Sequence, residues 1–185
     1  MLAYRHAFHA GNHADVLKHL VLTQVLRYLG EKDKPYWLID THAGAGGYAL
    51  HSRHAQQHAE YLDGIGRLVE RDDLPAPVDD YVDIVRQHNP SGVLKHYPGS
   101  PEFALALLRP QDRLRLYELH PTDHRTLARN LGGQPHVEVH AVDGFTALKS
   151  QLPPPSRRAA VLMDPPYELK ADYGKVVAAM REAVQ

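Results

Sequence analysis

Asp164-Pro165-Pro166-Tyr167 closes the apolar run RRAAVLMDPPY at 157–167. Its residue types suit the handling of an exocyclic amine. Two prolines fix the backbone and remove two amide donors, so the carbonyls are free to face a ligand. The Asp164 carboxylate beside the Pro165 carbonyl offers acceptors for both protons of an NH2 group. Drawing on both protons makes the nitrogen lone pair more available, which matters where that pair is delocalised into a ring. Tyr167 can stack on the base, worth about 1–3 kcal/mol in comparable sites. The plain alternative is a proline-rich turn after a strand, with no chemistry.

Asp164 has company. Asp40 ends YWLID (36–40), Glu118 lies in RLRLYELH (113–120), and Asp143 ends HVEVHAVD in the run 136–144. In open α/β sheets ligands bind at the carboxyl ends of the strands. One acid there reads equally well as a helix cap, but four argue for a site. DTHAGAGGY, directly after the first run, adds Gly44, Gly46 and Gly47. Glycine lets a backbone turn tightly and approach a ligand closely. An ordinary tight turn is one alternative and a dinucleotide site another, with an acid about twenty residues on to grip the ribose. The next acid of this kind is Glu118, far downstream, and no donor-rich helix start awaits a pyrophosphate. An adenosine ligand without a pyrophosphate fits better. Glu118 can accept from ribose hydroxyls, and Asp143 with the Gly144 backbone can read the adenine edge.

HAFHAGNHADVLKH, residues 6–19, places His6, His9, His13 and His19 in one short stretch. His9 and His13 have the four-residue spacing of a zinc helix. Gly11 and Asn12 interrupt them, Asp15 is the sole carboxylate nearby, and cysteine is absent. The reading is therefore an arm of polar histidines without a metal.

These residues need elements to hold them. Leu17, Leu20, Val21, Val25, Tyr28 and Leu29 recur at three- and four-residue spacing, which predicts a helix from about residue 14 to Gly30. The four apolar runs read as strands. Polar-faced helices are expected at 55–71 (Tyr61, Ile65, Leu68 inward) and 78–88 (Val78, Tyr81, Val82, Val85 inward), separated by DDLPAP, so roughly 50–96 reads as a helical insertion. Ser100 is placed to cap a helix with Pro101 and Glu102 in its first turn. Thr122 and Gly132 bracket another, FTALKSQL is helical, and Asp172 can cap a last helix carrying Val176, Val177, Met180 and Val184. Strand and helix alternate from residue 36 onward, which implies a parallel sheet with helices on both faces.

The chain has 185 residues, 43% of them hydrophobic, enough for one domain with a real core. No cysteine means no disulfide framework and no thiolate metal site. No apolar run could span a bilayer, and MLAYRHAFHAG lacks an apolar signal core, so a soluble, cytoplasmic protein is expected. A net charge of −1 with 14 histidines is not the basic footprint of many nucleic-acid binders. Any nucleic-acid contact has to use local patches, and residues 1–34 carry only a small basic excess.

DPPY is the motif of methyltransferases acting on amino nitrogens of adenine or cytosine; relatives with a related tetrapeptide act on glutamine amides. With the glycine-rich turn, the chain resembles a class I S-adenosylmethionine-dependent methyltransferase. YRHAFHAGNHADVLKH, LIDTHAGAGGY, YPGSP, ELHP, DGF and DPPYE together resemble, across essentially the whole chain, the bacterial 23S ribosomal RNA adenine-N6 methyltransferase J family. The resemblance implies a Rossmann-like class I fold with an inserted helical subdomain, S-adenosylmethionine as cofactor and 23S rRNA, deproteinised or precursor, as partner; the sequence does not give the oligomeric state, and a monomer is the expectation. It implies that His19, His42, Ser100, Glu118, Asp143, Gly144 and Asp164 line the cofactor pocket beside the Gly44–Gly46 turn. Asp164 also accepts from the target amine. Tyr4 sits where the family engages RNA, and Lys18 lies near the same entrance. His6 and His9 then become RNA-facing, while His13 has no assigned role.

Direct in-line methyl transfer to N6 is expected, with no covalent enzyme intermediate. The adenine must first leave its stack. The family is longer, with further strands beyond residue 185, so these 185 residues are expected to hold an intact cofactor half with compromised activity. Three rivals stay open. One is a DNA adenine-N6 or cytosine-N4 methyltransferase, and another a non-catalytic nucleic-acid-binding module. The third, an NAD-dependent oxidoreductase built on the glycine turn, leaves DPPY unexplained.

Overall fold

The computed structural model describes residues 6–184. Tyr4 lies outside the described residues. The strands are β1 (Trp37–Asp40), β2 (Gly47–Ala49), β3 (His96–Pro98), β4 (Arg113–Tyr117), β5 (Val137–His140) and β6 (Ala159–Leu162). The helices are α1 (His13–Gly30), α2 (Arg53–His58), α3 (Ala76–Gln87), α4 (Ser100–Leu107), α5 (Pro121–Leu131), α6 (Gly144–Gln151) and α7 (Ala171–Ala183). The described residues group into two compact units, one from 29–46 with 108–184 and the other from 6–28 with 47–107.

The first unit holds a four-stranded parallel sheet in the order β5-β4-β1-β6, flanked by helices. All four expected strands are present, each shorter than its apolar run. Leu38, Ile39, Leu114 and Leu116 are fully buried, as strands covered on both faces require. Ile39, Tyr117, Leu148 and Ala179 make one cluster, with Phe145, Val161 and Met163 packed against it. Asp112 anchors the lower end of the sheet. It is fully buried and accepts from the Tyr36 N–H at 3.0 Å, the Arg109 N–H at 3.1 Å and the Arg109 guanidinium at 2.7 and 2.9 Å. Arg109 also donates to the carbonyls of Gly30, Lys32 and Lys34 at 2.9, 2.7 and 3.3 Å, tying down the turn before β1. Burial alone raises the Asp112 pKa, but Arg109 and the two backbone donors outweigh it and leave it lowered. A depressed carboxylate stabilises the fold above its unfolded pKa and loses that contribution as pH falls through the folded one. Asp112→Ala is expected to cost about 1–3 kcal/mol, the range for leaving buried backbone donors such as the Tyr36 N–H unsatisfied, as read by urea unfolding at neutral pH.

The second unit departs further from expectation. Its helical segment is closed by an antiparallel pair, β2 with β3, that no alternating pattern announced. The expected helix at 55–71 breaks into α2 and two short 3₁₀ turns, Glu60–Asp63 and Ile65–Arg67. Gly64 lies between those turns because a Cβ there would stand 2.0 Å from the Gly11 carbonyl oxygen. α1 buries a different face from the expected stripe. Leu17, Val21, Val25 and Tyr28 are exposed, while Asp15, His19, Leu22, Thr23 and Leu26 are buried. The inward face is a hydrogen-bonded polar one, which hydrophobic periodicity scores as solvent-facing. α3 does bury Tyr81, Val82 and Val85 as expected.

Three caps are corrected. Ser100 is the first residue of α4, and the Gly99 carbonyl before it accepts from Glu102 and Phe103. His120, not Thr122, caps α5, with Pro121 opening the helix. Asp172 lies inside the first turn of α7, paired with Lys175 at 3.0 Å, and Lys170 occupies the cap position.

Candidate active site

Topology locates the site of the first unit. From β1 the chain re-enters the sheet at β4, continues to β5, and returns at β6 on the opposite side of β1. The loops leaving β1 and β6 diverge there, and such switch points are where open α/β sheets bind ligands. The Thr41 N–H and hydroxyl both donate to the Leu162 carbonyl, at 3.0 and 3.1 Å. The glycine turn and the DPPY segment therefore leave adjacent strands side by side.

Gly44 and Gly46 adopt φ of +61° and +90°, the left-handed region that glycine enters freely. Their turn lets the Gly44 N–H donate to Glu118 Oε2 at 2.8 Å, while the Ala43 N–H reaches the Tyr117 carbonyl at 2.9 Å. Glu118 Oε1 accepts from the His120 N–H at 2.6 Å. Each carboxylate oxygen has a second lone-pair position, so Glu118 can still take two ligand hydroxyls.

Burial raises the Glu118 pKa; its two backbone donors only partly offset this. A raised carboxylate adds stability below its unfolded pKa and loses it as pH rises through the folded one. Ionised Glu118 thus costs the ligand-free protein stability, and hydroxyl donors from a ligand offset that cost. Affinity for an adenosine-containing ligand is therefore expected to rise with pH through this elevated pKa and then level off. Glu118→Gln is expected to flatten the profile, as measured by calorimetric titration across acidic to neutral pH.

His42 follows Thr41. The Thr41 hydroxyl lies 2.8 Å from His42 Nδ1 and 3.1 Å from the Leu162 carbonyl oxygen. Burial lowers the His42 pKa, while the Asp143, Asp164 and Asp172 carboxylates pull the other way. Those three acids therefore lie within electrostatic reach of one imidazole. The Phe145 ring meets His42 edge-on at 4.7 Å.

Asp143 is exposed and caps α6 through Phe145 N–H at 2.9 Å. Gly144 is pressed against the β1 loop: a Cβ there would lie 2.2 Å from the Thr41 carbonyl oxygen. Asp40, the acid of the first run, is buried and accepts from the His42 N–H at 3.1 Å. It braces its own loop, so three of the four strand-end acids remain at the rim.

Asp164 stands two residues beyond β6, half-buried, with Pro165 buried behind it. Tyr167 has φ +52°. A non-glycine residue held there costs on the order of 1–3 kcal/mol, and such strain clusters at ligand clamps. The Tyr167 ring is partly exposed and lies 4.7 Å from Tyr173. Burial and the Asp164 charge push its hydroxyl pKa up. Phe145 and Tyr173 carry no motif of their own with a known role; Phe145 belongs to DGF, and nothing in the sequence marks Tyr173.

In the second unit, His19 and Ser100 are buried. His19 Nδ1 lies 2.8 Å from the Tyr97 hydroxyl. Asp15 gathers the arm: its carboxylate meets His6 Nε2 at 2.8 Å, Lys18 Nζ at 2.8 Å and the Gly11 N–H at 2.9 Å. Burial would raise the Asp15 pKa, but His6, His19 and Lys18 hold it well below the usual range. His9 Nδ1 meets Glu60 at 3.0 Å. His6 and His9 thus serve carboxylates of their own chain, which supplies no support for their RNA-facing reading, and His13 is exposed. Among the described residues no group of three or more His, Asp or Glu side chains is placed to hold a metal, and no helix is long and apolar enough to cross a membrane.

A family model described as "Ribosomal RNA large subunit methyltransferase D, RlmJ" matches residues 33–185. The chain is 53% identical over 182 residues to "Ribosomal RNA large subunit methyltransferase J" of Escherichia coli (strain K12). It is 49% identical over 183 residues to the protein of the same name from Haemophilus influenzae. Each alignment covers 98% of this chain and 65% of the relative. The crystal structure of protein LPL1258 from Legionella pneumophila superposes with a TM-score of 0.88 at 41% identity, over 94% of this chain and 64% of that one.

Proposed function

Because this chain belongs to the ribosomal RNA large subunit methyltransferase J family, we propose that it carries the cofactor-binding and amine-orienting part of an enzyme that methylates N6 of an adenine in 23S rRNA. The observation that carries this reading is the pairing of two loops at the switch point. The glycine turn, braced by Glu118, and Asp164-Pro165-Pro166-Tyr167 leave neighbouring strands joined through Thr41 and Leu162.

The residues present suit S-adenosylmethionine. Glu118 has lone pairs left for the ribose diol. Asp143 and the Gly144 backbone are assigned to the adenine edge, and Gly144 has no side chain to intervene. The resemblance adds His42, His19 and Ser100 to the same ligand. When bound, this cofactor supplies an electrophilic methyl group on a sulfonium.

The remaining work falls to the chain. Asp164 and the Pro165 carbonyl accept both protons of the target amine, hold its lone pair in line, and keep it from delocalising into the ring. Tyr167 stacks on the base and offsets part of the few kcal/mol needed to unstack it. No side chain need form a bond to the methyl group, so catalysis rests on orientation and fixed dipoles. RNA contact is assigned to Tyr4 and Lys18, with Lys18 held by Asp15 at 2.8 Å.

The chain spans 65% of each curated relative it matches, so cofactor binding is the first test. Calorimetry should give one S-adenosylmethionine site per chain and no NAD binding. Methylation of deproteinised 23S rRNA, with mass mapping of the product base, then separates adenine N6 from other amines. A product on another atom, or transfer to DNA in preference to rRNA, overturns the assignment.

A further inference from the structure

We propose that Tyr173 is a positioning residue for methyl transfer: its ring backs one face of Tyr167 and leaves the opposite face of Tyr167 as the platform on which the target base stacks. The base half of this proposal rests on the function proposed above; the pairing of the two rings rests on the geometry of the first unit alone.

Tyr167 needs a support of this kind. It lies in 163–168, a segment without helix or strand. Its φ of +52° is a conformation that a tyrosine keeps only where its surroundings hold it. Pro165 and Pro166 stiffen the backbone before it. They do not set the direction of its ring, which turns about two side-chain bonds. The Tyr173 ring can set it. The two ring centroids lie 4.7 Å apart with 36° between the planes, within the range of favourable aromatic pairs. Tyr167 is 37% exposed, so ring surface stays open to a ligand.

Tyr173 can give direction because the core fixes its backbone. It is the third residue of α7, which is seated through Ala179 and Ala183 on the cluster of Ile39, Tyr117 and Leu148. The start of the helix is held as well. Asp172, beside Tyr173 in sequence, is buried; its N–H donates to the Leu169 carbonyl at 2.9 Å, and its carboxylate pairs with Lys175 at 3.0 Å. Burial is the largest influence on the pKa of both His42 and Tyr167, and the Asp172 charge acts on each after it. The first turn of α7 therefore lies within electrostatic reach of the β1 loop and of Tyr167. At 61% exposure Tyr173 adds little burial to the fold. Its pairing matters for the direction of Tyr167 and not for stability. A loose Tyr167 holds the base less well, and less often with its amine at Asp164. The loss falls on base binding and transfer and spares the cofactor.

The test joins ring NMR to single-turnover transfer to deproteinised 23S rRNA, on the wild-type chain, Tyr173→Ala and Tyr173→Phe. The wild-type chain should show a nuclear Overhauser contact between the Tyr167 and Tyr173 rings. That contact should persist when adenosine is titrated into the chain saturated with S-adenosylhomocysteine. Tyr173→Ala should lower both the transfer rate and the adenosine affinity about three- to tenfold, the scale of one aromatic pair. Its S-adenosylmethionine affinity and Tm should stay close to wild type. Tyr173→Phe keeps the ring and should match the wild type in every readout. Equal rate and equal adenosine affinity in the wild type and Tyr173→Ala overturn the positioning role. A Tyr173→Phe chain as impaired as Tyr173→Ala does so too, because the hydroxyl and not the ring would then matter. Loss of the ring contact on adding adenosine also overturns it, since the base would then lie between the rings. So does a fall in S-adenosylmethionine affinity or Tm that accounts for the fall in rate. A wild-type chain that shows the ring contact yet binds no S-adenosylmethionine overturns the function proposed above, and the base half falls with it; one that binds the cofactor but lacks the ring contact overturns the positioning role alone.

Discussion

Asp164→Ala is expected to lower methylation of deproteinised 23S rRNA by about 10²–10³-fold, the loss typical when one preorganised electrostatic partner is removed from a reacting group. S-adenosylmethionine affinity should fall by no more than about tenfold, because Glu118, Asp143 and the Gly44 turn keep their own geometry. Asp164→Asn keeps the shape and one acceptor oxygen, which the amide can turn toward the amine proton, so it should retain more transfer than alanine. Asp164→Leu fills the space without an acceptor and should behave nearly as badly as alanine. That outcome separates acceptance of the amine protons from mere filling of the loop. Single-turnover assays beside calorimetry on the same samples are decisive, and near-normal transfer by Asp164→Ala would falsify the role.

Gly144→Ala should be the most damaging single-methyl change at the site. The added Cβ would stand 2.2 Å from the Thr41 carbonyl oxygen, 2.6 Å from its Cα and 2.7 Å from its Cβ. Two of these three atoms are backbone, so no flexible side chain can swing aside. Either α6 lifts from the β1 loop or the loop moves, and with it the Thr41 bonds to Leu162 that hold the two functional loops together. Overpacking of this kind costs about 1–3 kcal/mol, a fall in Tm on the order of 5 °C at this chain length. Cofactor affinity should drop at least tenfold. A thermal scan with and without S-adenosylmethionine measures both effects, and unchanged values in both would refute the close approach.

The parallel sheet was legible in the sequence because each strand falls in a short run rich in apolar residues, although only β1 and β4 are buried along most of their length and β5 and β6 are largely half-buried. The acids were legible because they follow those runs directly. Their separate tasks were not. Asp40, Glu118, Asp143 and Asp164 look alike in sequence, yet Asp40 braces its own loop, and only contact with Gly44 and His120 shows that Glu118 is partly spoken for. α1 was misjudged for a related reason. Asp15, His19 and Thr23 are buried because Lys18, Tyr97 and the His19 carbonyl satisfy them, and periodicity counts residue types, not partners. The β2–β3 pair has three residues a strand, too few for alternation to register. Ser100, Thr122 and Asp172 each sit one or two residues past the position a cap requires. Glycine or histidine takes that position before α4 and α5, so cap chemistry was read from the wrong side chain.

The central strand also sets a timetable. Trp37 pairs with Arg113, 76 positions on, and with Ala159, 122 positions on. Pairings so distant in sequence close slowly, because the chain loses loop entropy before any contact repays it. During synthesis at roughly 5–20 residues per second, on the order of ten seconds separate the appearance of β1 from that of β6. For that interval Trp-Leu-Ile-Asp has no partner on one side, while residues 47–107 emerge and complete the second unit with 6–28. A nascent chain stalled before residue 159 would present β1 as an open edge, the form in which chaperone contact or misassociation becomes most favourable.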